Sequence, residues 1–179
     1  MILYVHGFRS TDKAPKARIL QQHFDKRITL ATFSQEPNKA ISDLEKQIES
    51  LRVDGIIGSS LGGFYAIYLA EKYRLRTVLI NPSTRPYETT FRYLGTNTRD
   101  DGTSFIWRRK EIDALRHYAV ENPSEGTYML MLKEGDAVLD YRVAQAYLSA
   151  EQLVIESGGS HAFENIEDHL ESMERFLIG

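Results

Sequence analysis

The stretch "GIIGSSLGGFYAIYLAEKY" (residues 55–73) decides the fold. It begins as a short apolar run, passes through a turn holding two adjacent serines among glycines, and continues with helical periodicity. A buried strand that ends in a glycine-rich turn and opens directly into a helix is half of a βαβ unit. Such a turn can cradle a phosphate, present a nucleophile, or only let helix and sheet pack closely.

The phosphate reading lacks its chemistry. A phosphate-binding loop ends in Gly-Lys-[Ser/Thr], and no lysine lies between Arg52 and Lys72. The dinucleotide fingerprint needs G-x-G-x-x-G, which Gly55, Gly58, Gly62 and Gly63 do not give, and no acid closes the next strand. G-x-S-x-G does fit, as Gly58-Ser59-Ser60-Leu61-Gly62. In that motif the central serine sits on a strained strand-to-helix turn, and the residues two before and two after it must be small. Ser60 is therefore the candidate nucleophile, with Ser59 a small residue that fits the turn. The Leu61 N–H, at the start of the helix, is placed to meet a developing oxyanion.

Working outward, the same alternation recurs. Strands are expected at 2–7, 28–33, 53–58 and 76–82, and within 127–136 and 152–161. Helices are expected at 14–25, 38–51, 141–150 and 163–177, with Pro15 in the first turn of one and Asn38 as the N-cap of another. Near-continuous apolar strands alternating with helices predict an α/β fold: a parallel sheet with helices on both faces. Ligands bind beyond the carboxyl ends of such strands. His6-Gly7, Ser59-Ser60, Asn81-Pro82, Gly135-Asp136 and His161 all follow strands. Residues 83–126 break the rhythm, being aromatic-rich and too long for a simple crossover. They predict either a lid-like insertion over the sheet's carboxyl edge or a crossover of two helices with an aromatic inner face.

Composition narrows the function classes. The 179 residues are 42% hydrophobic and 26% charged, which suits one globular domain. A formal net charge of -3 offers no basic excess for nucleic acid. The absence of cysteine excludes disulfides and thiolate metal sites. No His/Asp cluster has metal-ligand spacing, and no cofactor is called for. No run approaches a membrane span and no signal peptide is visible, so a cytoplasmic protein is expected, of unspecified oligomeric state.

A serine needs a base, and the base an orienting acid, in the chain order Ser, Asp or Glu, His. Among five histidines, only His161 follows a strand through a glycine-rich loop after the serine. Asp136 follows the preceding strand directly and is preferred as the acid. Asp140 reads as the N-cap of the next helix, and Glu134 is a more distant alternative. The second oxyanion donor should come from the loop after the first strand, where the Phe8 N–H is the candidate and Arg9 the alternative. His6 reads as a brace for that loop.

Taken together, "HGF", "GSSLGG", "GDAVLDY" and "GGSHAF" resemble the α/β-hydrolase superfamily over nearly the whole chain. "HGFRS", "INPSTRPYE", "YLG" and "SGGSHAFENIED" are similar, more closely, to the small bacterial YqiA-like esterases. The resemblance implies a serine esterase or thioesterase with Ser60 as nucleophile, His161 as base and Asp136 as acid. It implies a compact sheet of about six parallel strands in the order 2-1-3-4-5-6, without the superfamily's two leading antiparallel strands. The expected partner is a small acyl ester or thioester. A non-catalytic ligand-binding protein on this fold, or an acyltransferase, is the alternative. Six arginines between 85 and 116 read as surface charge balanced by acids; the other reading has them meet an anionic group such as the phosphates of a coenzyme A ester.

Overall fold

The computed structural model describes residues 1–179. Six parallel strands form the sheet: β1 (Ile2–Val5), β2 (Ile28–Leu30), β3 (Gly55–Ser59), β4 (Arg76–Ile80), β7 (Thr127–Lys133) and β8 (Gln152–Glu156). A separate antiparallel hairpin, β5 (Gly95–Thr98) and β6 (Ser104–Trp107), lies between β4 and β7 in the chain. The sheet order is β2-β1-β3-β4-β7-β8, which is 2-1-3-4-5-6 when only its own strands are counted. Every pairing in it is parallel, and no antiparallel strand joins it. The predicted α/β class and strand order are both found.

Alternation of side chains splits the core into two layers. Leu3, Val5, Ile56, Leu79 and Leu130 face one side, packed by helices α2 (Pro37–Leu51), α3 (Leu61–Tyr73), α5 (Arg109–Leu115) and α6 (Tyr141–Tyr147). Ile2, Tyr4, Ile57, Val78 and Met129 face the other, packed by α1 (Pro15–Phe24) and α7 (Leu170–Ile178). The central strands are thus buried on both faces, which is why they read as continuous apolar runs. No helix is long and apolar enough to cross a membrane.

Several boundaries differ from expectation. The second helix starts at Pro37 with Glu36 before it, and Asn38 lies inside, its Oδ1 accepting from the Tyr118 hydroxyl at 2.9 Å. Proline at N1 loses no helical hydrogen bond, so it sets the start. The last helix begins at Leu170, not 163: Phe163 adopts a left-handed φ of 54°, and a 3-10 turn spans Ile166–His169. The Asn165 amide donates to Glu156 and Asp168, so this side chain serves the loop rather than a helix face.

Residues 83–126 hold the short helix α4 (Pro86–Thr89), a 3-10 turn (Thr90–Tyr93), the β5–β6 hairpin, α5, and a second 3-10 turn (Arg116–Tyr118). The hairpin is an element that the sequence reading of this segment did not specify. Its signal was present as "DDG" at 100–102 between two four-residue strands, with Gly102 at φ 84° in the turn. The segment is fixed at one end by Phe8, whose ring centroid lies 5.2 Å from Tyr93, 5.3 Å from Phe105 and 5.0 Å from Trp107. It is fixed again at Asp100, which accepts hydrogen bonds from the Ser10 hydroxyl and from the N–H and hydroxyl of Thr11.

Candidate active site

Ser60 connects β3 to α3 with φ 54° and ψ -122°, a conformation a β-substituted residue adopts only when its surroundings impose it. They do so by close packing. A Cβ on Gly62 would lie 2.1 Å from the Val5 carbonyl oxygen and 2.5 Å from that of His6. One on Gly58 would lie 2.6 Å from the Ala66 Cβ. The helix therefore leaves the sheet hard against the end of β1. The Ser60 carbonyl is satisfied twice, by the N–H groups of Gly63 and Ser83, each at 2.9 Å, and its own N–H donates to the Ile80 carbonyl.

His161 reaches the serine from the loop after β8. Its Nε2 stands 2.8 Å from Ser60 Oγ, and its Nδ1 stands 2.7 Å from Asp136 Oδ2. Three residues predicted from separate strand ends are thereby brought into one hydrogen-bonded line. Asp136 Oδ1 accepts from the N–H groups of Val138 at 2.8 Å and Leu139 at 2.9 Å, which locks the carboxylate in its turn. Burial would push this carboxyl up, but the His161 hydrogen bond and the two backbone donors outweigh it and hold it below its usual range. The Asp136 side chain is 2% exposed and that of His161 25%, so the acid is sealed and the imidazole is open to a ligand.

The other acids take the places their sequence contexts suggest. Asp140 caps α6, its side chain accepting from the Arg142 N–H and pairing with the Arg142 guanidinium at 2.7 Å. Glu134 bonds to the Ser157 hydroxyl. Neither touches His161. The remaining histidines are engaged elsewhere or outside: His23 with Glu174, His169 with Glu156, and His117 exposed. His6 braces the loop after β1, its Nδ1 donating to the Gly7 carbonyl at 3.1 Å and its ring stacked on Phe33. Phe8 follows; its N–H donates to no backbone or side-chain acceptor. Leu61 is the first residue of α3, so its N–H has no acceptor inside the helix.

Two neighbours were given no role in the site by the sequence, although Asn81 follows a strand. Asn81, at φ 40°, donates to the Ser160 and His161 carbonyls and accepts from the Lys133 N–H at 2.9 Å. It ties the histidine loop to the ends of β4 and β7. Its signal was an asparagine immediately before a proline at a strand's carboxyl end. Lys16 of α1 donates to Ser59 Oγ at 3.0 Å from behind the turn, and burial lowers its ammonium to about 8 against the pull of Glu164 and Asp136. Ser59 is thus more than a filler: its hydroxyl receives that ammonium.

Ser60 and His161 open onto a cleft of about 470 Å³. Phe8, Leu61, Tyr93, Val138 and Leu139 supply apolar wall, and other residues from between Ser83 and Asp100 complete it.

Comparison with known proteins gives the same frame. UPF0227 protein YcfP of Salmonella paratyphi B and that of Salmonella newport are each 29% identical over 188 residues, covering 98% of both chains. Among solved structures, mouse alpha/beta hydrolase domain-containing protein 10 superposes with a TM-score of 0.77 at 13% identity, over 97% of this chain and 88% of that one. Est1E from Butyrivibrio proteoclasticus, solved with ferulic acid bound, gives 0.76 at 13% identity, over 99% and 87%. At such identities the likeness establishes the α/β-hydrolase fold. The model of the uncharacterised protein family UPF0227 matches residues 1–178, and the chain belongs to that family.

Proposed function

We propose that the protein is a serine hydrolase that cleaves carboxylic esters or thioesters through an acyl-enzyme on Ser60. One observation carries the reading: a single imidazole bridges a serine hydroxyl at 2.8 Å and a buried carboxylate at 2.7 Å. A hydroxyl is a poor nucleophile until a positioned base takes its proton, and the base works in one tautomer only when its other nitrogen is held.

The steps follow from those positions. The Asp136 carboxylate accepts from His161 Nδ1–H and leaves Nε2 as the base. As Ser60 Oγ attacks the acyl carbon, its proton passes to Nε2. The carbonyl oxygen takes up the electron pair and meets the N–H groups of Leu61 and Phe8. The intermediate collapses by breaking the C–O or C–S bond, and the alcohol or thiol departs with the proton from His161. Water then enters, gives a proton to Nε2, attacks the acyl carbon and releases the acid, returning the proton to Ser60. Apart from substrate and water, the chemistry requires only groups of this chain.

The same reading takes the chain as one hydrolase domain with residues 83–126 as a cap over the cleft, and includes the finer kinship with YqiA-like esterases. That a monoacylglycerol lipase of Paleococcus ferrophilus has a similar fold supports the reaction class. The test is a fluorophosphonate probe together with p-nitrophenyl esters of graded length. Ser60 should be labelled and p-nitrophenol released in a burst; Ser60→Ala should show neither. Unlabelled, folded protein with no burst would leave a ligand-binding protein, and product partitioning toward an added alcohol or thiol would leave an acyltransferase.

A further inference from the structure

The cleft wall carries a charge pattern that hydrolysis of a neutral ester does not need. Three arginines from three segments line it with Ser60 and His161: Arg9 from the loop after β1, Arg92 from the 3-10 turn at Thr90–Tyr93, and Arg99 from the β5–β6 turn. Each is anchored by a hydrogen bond to a neutral oxygen. Arg9 Nε donates to the Thr98 carbonyl at 3.1 Å, Arg92 Nη2 to the Val138 carbonyl at 3.2 Å, and Arg99 Nη1 to the Thr103 hydroxyl at 2.8 Å. The guanidinium carbons of Arg92 and Arg99 also stand 5.0 Å and 5.2 Å from the ring centroids of Tyr93 and Phe105. These contacts hold the side chains and leave each guanidinium N–H donors to spare.

Other arginines of the same segment are partnered differently. Arg108 pairs with Glu111 at 3.6 Å and Arg109 with Asp113 at 3.0 Å, while Arg116 lies over the Tyr87 ring. No carboxylate pairs with Arg9, Arg92 or Arg99. The carboxylate that does line the cleft, Asp100, is engaged by Ser10 and Thr11 instead. Three guanidiniums therefore share a concave wall with one carboxylate, in a chain of formal net charge -3. Like charges on one wall favour the entry of an anion. Arginine forks match carboxylate and phosphate geometry, and the hydrogen bonds they make are charge-assisted.

We propose that Arg9, Arg92 and Arg99 form an anion-binding subsite, and that the ester cleaved at Ser60 carries a carboxylate or phosphate close to its scissile bond. The ester half of this statement rests on the serine-hydrolase reading; the anion subsite does not. The subsite selects for charge within one small cleft, so the substrate class is a compact anionic ester.

The test compares kcat/KM within matched pairs. On the leaving-group side, 4-acetoxybenzoate and 4-acetoxyphenyl phosphate are set against methyl 4-acetoxybenzoate. On the acyl side, monomethyl adipate is set against methyl hexanoate. At least one anionic member should be preferred by roughly tenfold or more. The preference should shrink with added salt and fall about tenfold in Arg9→Gln/Arg92→Gln/Arg99→Gln. Which pair responds identifies the charged side, and carboxylate against phosphate identifies the anion. Calorimetric binding of 4-hydroxybenzoate and phenyl phosphate to the Ser60→Ala protein reads the subsite without turnover. Arg92→Gln alone, an exposed change, carries the comparison if the triple variant does not fold. Neutral esters preferred in every pair, with no anion bound, would overturn the subsite and leave the hydrolase standing. Anion binding lost in the arginine variant, with no ester turned over and no probe labelling, would keep the subsite and overturn the hydrolase.

Discussion

The ammonium of Lys16 donates to the hydroxyl of Ser59 at 3.0 Å, one residue before Ser60. Burial lowers Lys16 to about 8, more than the nearby carboxylates of Glu164 and Asp136 raise it. Its folded value thus lies below its unfolded value of about 10.4. Between the two, the unfolded chain binds more protons, so stability rises with pH across that window. Below it, the charged lysine costs the fold on the order of 3 kcal/mol. Lys16→Met should be more stable than the parent at pH 7, and the gap should close by about pH 10. Urea melts of both proteins at the two pH values give the answer; a gap independent of pH would mean the ammonium is not strained.

The packing around Ser60 makes a sharper prediction for glycines. Gly62→Ala would set a Cβ 2.1 Å from the Val5 carbonyl oxygen, where backbone must move. Overpacking of this kind costs about 1–3 kcal/mol or more, and the displaced helix start would take the Leu61 N–H with it. Gly158, at φ 70°, has nothing within 4 Å of its would-be Cβ. Gly158→Ala should cost only the left-handed backbone penalty of about 1–2 kcal/mol. Thermal melts and ester turnover of the two variants should separate them, with loss of turnover confined to Gly62→Ala. Equal effects would show that the close contact with β1 does not set the turn.

Much of this was legible because the physics is local. The parallel α/β class followed from apolar runs alternating with helices, the strand order only from the resemblance to the α/β-hydrolases, and the serine turn from the small residues its crowding demands. Asp136 and His161 could be paired with Ser60 because each lies in the loop just past a strand of a parallel sheet. The hairpin was not foreseen, since β5 and β6 are four residues each and their stability comes from the Phe8 aromatic cluster, a contact far apart in sequence. The late start of α7 was hidden for a similar reason. "FENIEDHLESMERFL" has helical periodicity throughout, but Asn165 is engaged by Glu156 and Lys133, which arrive from β8 and β7. The arginines could be counted in the sequence but not sorted; only the fold separates Arg92 and Arg99 from Arg108 and Arg109.

Asp136 and Asp140 offer a paired test of the acid. Asp136→Asn keeps the shape and removes the charge that orients His161, so kcat should fall by about 10³–10⁴ with the fold retained. Asp140→Asn alters a helix cap and an exposed pair with Arg142 and should leave turnover near that of the parent. Because the folded Asp136 carboxyl lies below its usual range, it stays ionised as pH falls through the ordinary aspartate range. Its contribution to stability is present above the unfolded value of about 3.9 and is lost as pH falls through the lower folded value. Acid titration of the two proteins should therefore show the parent losing stability relative to Asp136→Asn only below about pH 4. Reversed effects of the two variants on kcat would move the acid to Asp140.

Asp100 joins the β5–β6 hairpin to the loop that holds Phe8. Its carboxylate takes hydrogen bonds from Ser10 and Thr11, and its N–H donates to the Arg9 carbonyl at 3.0 Å. Arg9 in turn sits at φ 63°, a backbone conformation that needs support from outside the loop. Releasing the carboxylate should let residues 7–10 relax and carry the Phe8 N–H away from the developing oxyanion. Misplacing one such donor is worth up to about 10²–10³ in kcat. Asp100→Ala should therefore lower kcat by roughly tenfold, a partial loss of that donor, with little change in KM for a neutral ester. Asp100→Asn, which keeps an acceptor oxygen, should recover part of the rate. A purely structural tie would instead lower the melting temperature and leave kcat at low temperature intact. Steady-state kinetics at 15 °C beside thermal melts distinguishes the two, and an unchanged kcat in Asp100→Ala would remove Asp100 as a positioning residue.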